Sequence, residues 1–124
     1  MRILFAEDEI SLAKAVVRIL EKNNYSADAV HNGVDALNYL ETDNYDAAIL
    51  DIMMPKMDGI TVLKKLRESG NPIPVIMLTA NAISGMEEQY LSQGFHGYLT
   101  KPIDSNKLRQ LLLKYLPAHK IKFK

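Results

Sequence analysis

The 124-residue chain predicts a doubly wound α/β domain, with five parallel strands in the order 2-1-3-4-5 and helices on both faces. Three observations carry that expectation. Short apolar runs alternate with stretches of helical periodicity along the whole chain. Two of the runs, "AAIL" and "PVIML", are continuously apolar, as central strands covered on both sides require. A third, "SADAV", is more polar, which suits an edge.

The first strand is "ILFA" (3–6), and a helix over 10–23 follows it. That helix puts Leu12, Val16, Ile19 and Leu20 on one stripe and Lys14, Arg18 and Glu21 opposite. "SADAV" (26–30) is the second strand and 33–43 the second helix. "AAIL" (47–50) stops at Asp51 and falls into a turn, where Pro55, Asp58 and Gly59 feed a third helix over 59–69. "PVIML" (74–78) precedes a fourth helix over 83–93, and "GYLT" (97–100) precedes a fifth over 105–116. The last helix turns Leu108, Leu111, Leu112, Tyr115 and Leu116 inward, with Asp104 or Ser105 available as its cap. Right-handed crossovers join the repeats. No linker or low-complexity segment interrupts them, so residues 1–117 form one domain and 118–124 a basic, solvated tail.

Composition excludes several classes. Fifteen basic and fifteen acidic residues cancel, leaving no global field to recruit nucleic acid or an anionic membrane. The chain has no cysteine, which removes disulfide and thiolate chemistry. Met1 leads directly into an apolar-periodic segment, with neither a signal peptide nor a run long enough to cross a bilayer. The expectation is a cytoplasmic domain.

The charged residues then sort themselves by strand. Glu7 and Asp8 follow the first strand, Asp51 the third, Thr79 the fourth and Lys101 the fifth. All stand at carboxyl ends of parallel strands, where open α/β sheets place ligands. Neighbouring strands run about 4.8 Å apart, so Asp8 and Asp51 converge on one small cation. Mg²⁺ suits such a site, since it takes oxygen ligands and keeps several waters. Three crowded carboxylates repel one another unless a cation or a proton relieves them. An ammonium, a hydroxyl and Mg²⁺ around a carboxylate form a charge clamp for a transferring phosphoryl group. Asp51 is then the nucleophile, and an aspartyl phosphate the product.

With "AEDE", "LDIMMPKMDG", "MLTAN" and "YLTKPID" in this order, residues 2–117 strongly resemble the receiver domain of bacterial two-component response regulators, a flavodoxin-like fold. The resemblance implies that Asp51 accepts phosphate from a histidine of a sensor histidine kinase or a histidine phosphotransfer protein. It implies that Asp8 and Asp51 ligate Mg²⁺ (or Mn²⁺) directly, Glu7 through a water, and Met53 through its backbone carbonyl. Thr79 and Lys101 bind the phosphoryl oxygens, Tyr98 is the aromatic switch that follows Thr79, and the Lys101–Pro102 bond is cis. Such a domain is no enzyme on other substrates: it catalyses only its own phosphorylation and dephosphorylation, as a monomer or a weak phosphorylation-dependent dimer. Residues 1–80 look most like receivers of DNA-binding regulators, whereas "TANAISG" through "YLTKPID" look like receivers of hybrid sensor kinases. His96 and Gly97 stand where the DNA-binding kind carries an acidic pair.

A phosphodonor must dock around the carboxyl edge of the sheet. Ser11, Lys14, Ala15 and Arg18, with Pro102 and Ile103, are nominated for that contact, the two cations steering an acidic carrier. Output is placed elsewhere, on the fourth helix, the fifth strand and the fifth helix. Blander roles compete. Glu7 and Asp8 could cap the first helix, and Tyr98 could be a static core aromatic. A haloacid-dehalogenase-type phosphatase needs a second acid where Met53 stands, and a nucleotide-binding module needs glycines where "AEDEIS" has acids. The alternative kept is a receiver-like interaction domain that is never phosphorylated. His31, His96 and His119 show no metal-binding spacing and read as surface residues.

Overall fold

The computed structural model describes residues 2–79, 94–101 and 103–115. Its elements are β1 (Arg2–Ala6), α1 (Ile10–Lys22), β2 (Ser26–Val30), α2 (Gly33–Thr42), β3 (Ala47–Asp51), α3 (Gly59–Glu68), β4 (Val75–Thr79), β5 (Gly97–Thr100) and α4 (Ser105–Tyr115). The helix expected over 83–93, Pro102 with its cis bond, the side chain of Tyr115, Leu116, His119 and the tail 118–124 lie outside the described residues.

All strand pairs are parallel, and the order is β2-β1-β3-β4-β5. "SADAV" does form an edge, and the apolar runs of β3 and β4 are central and fully buried. Strand alternation divides the core into two layers. Ile3, Phe5, Ile49, Ile76, Leu78 and Leu99 face Ala13, Val16 and Leu20 of α1 and Leu108 and Leu112 of α4. Leu4, Ala6, Leu50 and Met77 face Ala36 and Leu40 of α2 and Val62, Leu63 and Leu66 of α3. At roughly 25 cal/mol per Å² of buried apolar surface, these two layers are the main favourable term in folding.

Several local expectations shift. Both central strands run one residue further than their apolar stretches, through Asp51 and Thr79, because backbone pairing continues past the last apolar side chain: Asp51 pairs with Leu78 and Thr79 with Thr100. β4 starts at Val75, since Pro74 has no N–H to give a ladder. The buried stripe of α1 centres on Ala13, with Leu12 and Ile19 only partly buried at its flanks. Neither Glu7 nor Asp8 caps α1. Its N-cap is Glu9, which makes no side-chain cap bond; the Glu9 N–H itself donates to the Glu7 carboxylate at 3.0 Å. Asn32 caps α2 through the Asp35 N–H (2.8 Å), and Asp58 caps α3 through the Thr61 N–H (2.7 Å). Asp104, not Ser105, caps α4, accepting from the Asn106 N–H at 2.8 Å. His31 and His96 are half-buried rather than superficial, because each ring meets backbone at a strand end. His31 Nδ1 lies 2.9 Å from the Glu7 carbonyl, and His96 Nδ1 accepts the Val75 N–H at 3.3 Å.

Candidate functional site

The carboxyl ends of β1, β3, β4 and β5 bring Glu7, Asp8, Asp51, Thr79 and Lys101 to one edge of the sheet. Backbone bonds continue beyond the strands and fix the bases of these side chains. The Glu7 N–H donates to the Val30 carbonyl (3.0 Å), that of Ile52 to Leu78 (3.0 Å) and that of Lys101 to Thr79 (2.9 Å). Glu7 is 0% exposed, Asp51 2% and Thr79 8%, which makes them the buried polar residues among those described. Asp8 is exposed and Lys101 half-buried. Each of Glu7, Asp8 and Asp51 offers a carboxylate oxygen within 4.8 Å of the others.

One ammonium serves two of these carboxylates. Lys101 Nζ donates to Asp51 Oδ2 at 2.9 Å and stands 2.9 Å from Glu7 Oε1 in an ion pair. The other Asp51 oxygen, Oδ1, accepts the Met53 N–H at 3.0 Å, and Glu7 Oε2 accepts the Glu9 N–H at 3.0 Å. Glu7 Oε1 has the charge contact but no hydrogen bond, and it is the one such buried side-chain atom among the described residues. Burial and the adjoining Asp51 carboxylate push Glu7 up to about 7, against the opposing pull of the Glu9 N–H and Lys101. Burial works against the charge on Lys101, but Glu7 and Asp51 outweigh it and raise the lysine above its ordinary value.

Three carboxylates thus crowd one fixed cation that pairs with only two of them, and buried Glu7 Oε1 has that ion pair but no hydrogen bond. Hard oxygen ligands on a partly open rim are the donor set that Mg²⁺ takes. The residues present therefore fit a divalent cation, with Asp8 on its solvent side and Glu7 behind. Met53, a residue 77% exposed, sits beside this rim, and with Asp8, Met54, Pro55 and Asp58 it lines an open cleft.

The remaining nominated residues are placed as follows. Ser11, Lys14, Ala15 and Arg18 are exposed on α1, and Ser11 lines a shallow cavity of about 480 Å³ with Glu9, Leu12 and Lys101. Ile103 is half-buried and leans on the core layer of α1 and α4. Tyr98 is half-buried against the other layer and borders a cavity of about 470 Å³ with Thr100, Lys107 and Leu111. Two features escape sequence reasoning. Ile10, at the start of α1, is 54% exposed, and the signal was its position off the buried stripe. The ion pair of Lys101 with Glu7 has no local signal, since its partners are distant in sequence.

The family described as the response regulator receiver domain matches residues 3–113. The transcriptional regulatory protein DltR of Streptococcus agalactiae is 42% identical over 108 residues, which are 87% of this chain and 48% of that protein. The chain thus spans about half the length of the curated relatives it matches. The receiver domain of sensor histidine kinase PA1611 from Pseudomonas aeruginosa, with a magnesium ion in its active-site cleft, is similar with a TM-score of 0.82 and 32% identity. That likeness covers 92% of this chain and 95% of the other. The response regulator TrrA of Thermotoga maritima, in complex with Mg²⁺ and BeF, is similar with a TM-score of 0.82 and 30% identity, covering 93% of this chain and 98% of that one.

Proposed function

The chain belongs to the response regulator receiver family, and from that premise we propose that it is a phosphorylation-dependent signalling switch whose phosphoacceptor is Asp51. The observation that carries the residue assignment is the convergence on Asp51, a buried strand-end carboxylate with Lys101 Nζ at 2.9 Å and two further acids alongside.

An Asp51 oxygen attacks the phosphorus of a phosphohistidine held by a sensor kinase or a histidine phosphotransfer protein. The P–O bond forms as the P–N bond breaks, and the leaving imidazole nitrogen takes up a proton. Asp8, Asp51 and the Met53 carbonyl would hold Mg²⁺, with Glu7 acting through a water, and the ion would supply charge neutralisation for the incoming phosphoryl group. Lys101 holds a positive charge beside the acceptor before any phosphate arrives, and Thr79 presents its hydroxyl one strand away. Lys101 turning to a phosphoryl oxygen leaves its ion pair with Glu7, Thr79 moves toward the phosphoryl group, and Tyr98 reorients with it and carries that change to β5 and α4. Attack of water on the acyl phosphate returns Asp51 and inorganic phosphate, so the domain catalyses only its own phosphorylation and dephosphorylation. It works in the cytoplasm as a monomer or a weak phosphorylation-dependent dimer, and reads no nucleic acid itself. The PA1611 and TrrA structures support the metal assignment by the ions they contain.

Incubation with acetyl phosphate and Mg²⁺ tests the reading. The wild-type chain takes up one phosphoryl group, and Asp51→Asn takes up none while keeping its fold, because the amide has the same shape but is no anionic nucleophile. Uptake by Asp51→Asn at the wild-type rate and stoichiometry would refute the assignment.

A further inference from the structure

The segment between β3 and α3 carries Met53 and closes one side of the site, and something must hold it still. Its base is tied by the Gly59 N–H to the Ile52 carbonyl at 3.0 Å, and its start by the Met53 N–H to Asp51 Oδ1. Its tip is a three-residue turn in which the Met57 N–H donates back to the Pro55 carbonyl at 2.7 Å. Lys56, at the centre of that turn, has φ +68°, a conformation that L residues adopt at a cost and keep only when their surroundings enforce it. The surroundings here are the first turn of α2. The Gly33 N–H donates to the Pro55 carbonyl at 3.4 Å, so one carbonyl receives both the turn and the helix end. A Cβ built on Gly33 would lie 1.8 Å from the Met57 carbonyl oxygen and 2.8 Å from the Met57 Cβ. The backbone of Gly33 is not in the left-handed region that Gly70 and Gly94 occupy. Glycine is needed at 33 for space alone, because a helix end and a loop backbone touch there.

We infer that Gly33 is a positioning residue for the phosphoacceptor site: the α2 N-terminus clamps the Pro55–Met57 turn and thereby fixes Met53 beside Asp51. This rests on the reading of Asp51 as phosphoacceptor. A side chain at 33 must displace either the helix or the turn. α2 is anchored by Ala36 and Leu40 in the core and by its Asn32 cap, whereas Pro55 and Lys56 are exposed, so the turn gives way. Displacement of the turn pulls on Met53, and with it on the N–H bond that orients Asp51 Oδ1.

Gly33→Ala and Leu40→Ala are compared, the second loosening α2 two turns from the clamp without loading the loop. Two readouts are taken: exchange of the Met53 amide with solvent deuterium in metal-free protein, and phosphoryl uptake from acetyl phosphate with Mg²⁺. Gly33→Ala is expected to lower Met53 protection and to slow uptake at least tenfold, while Leu40→Ala of equal or lower melting temperature keeps both near wild type. If Gly33→Ala does not fold, Pro55→Gly slackens the same tip from the loop side and carries the same two expectations. Unchanged protection and uptake in the variant tested, or equal losses in Leu40→Ala, would overturn the clamp. Met53 protection is read without phosphate, so it judges the clamp even if the wild-type protein took up no phosphoryl group and the functional reading failed.

Discussion

Glu7 shows how much of a single residue's chemistry depends on the finished fold. Its place after an apolar strand marks it as a strand-end acid, and the acids at 8 and 51 mark the neighbourhood. Nothing local says that Glu7 is fully buried while Asp8 faces solvent, since that depends on Val30 and on Lys101, far along the chain. The consequence is a measurable pH dependence. In metal-free protein Glu7 is raised to about 7 from an unfolded value near 4.5. Below the unfolded value both states hold the proton, and the contribution to stability is fully present. Between the two values the folded state keeps a proton that the unfolded chain has released, so stability falls as pH rises, by on the order of 3 kcal/mol by pH 8. His96 acts in the opposite sense: burial and Arg67 lower it, so its contribution grows as pH rises toward its ordinary value. Glu7→Gln separates the two, as the amide cannot titrate. Urea melts in EDTA from pH 5 to 8 should lose stability more steeply for wild type than for Glu7→Gln, and parallel curves would mean that Glu7 is ionised throughout.

At the scale of elements, the described strands and helices were legible within one residue at most ends, because apolar runs and amphipathic stripes are local signals. Caps were partly legible. Asp58 and Asp104 act at helix starts that their residue type suggests, but the N-cap of α1 is Glu9, which makes no side-chain cap bond, while Glu7 and Asp8 stand in the acidic cluster. Contacts between elements were not legible: Gly33 reads as a helix-start glycine and turns out to be pressed against Met57. α1 has a distinct role at this scale. Its inner side holds the core layer, while Lys14, Ala15 and Arg18 stay exposed on the element that begins beside Asp8. Charge there should act on a docking partner and not on chemistry, since Arg18 has no part in the Asp51 cluster. Arg18→Glu should slow transfer from a partner phosphohistidine while leaving uptake from acetyl phosphate unchanged. Equal slowing of both would place the damage in the site itself.

For the whole molecule, topology is what converts scattered acids into a cation site. With β1 between β2 and β3, the winding reverses at the β1–β3 boundary, and the strand ends there are not covered by a crossing connection. Glu7 and Asp8 arrive on one side of that boundary and Asp51 on the other, from segments more than forty residues apart. The unfolded chain has no such proximity, so a cation that needs all three binds the folded state alone and must stabilise it by linkage. The gain is about 2.7 kcal/mol when Mg²⁺ stands a hundredfold above its dissociation constant, and each kcal/mol raises the melting midpoint by roughly 2–8 °C in domains of such size. Melts of the wild-type chain with and without millimolar Mg²⁺ should therefore separate by several degrees. Asp8→Asn should remove that separation while slightly stabilising the metal-free protein, because it deletes a carboxylate charge crowded against Asp51 and Glu7. Identical wild-type midpoints, together with no heat of binding on titration with Mg²⁺, would mean that Lys101 alone compensates Glu7 and Asp51 and that no cation completes the site.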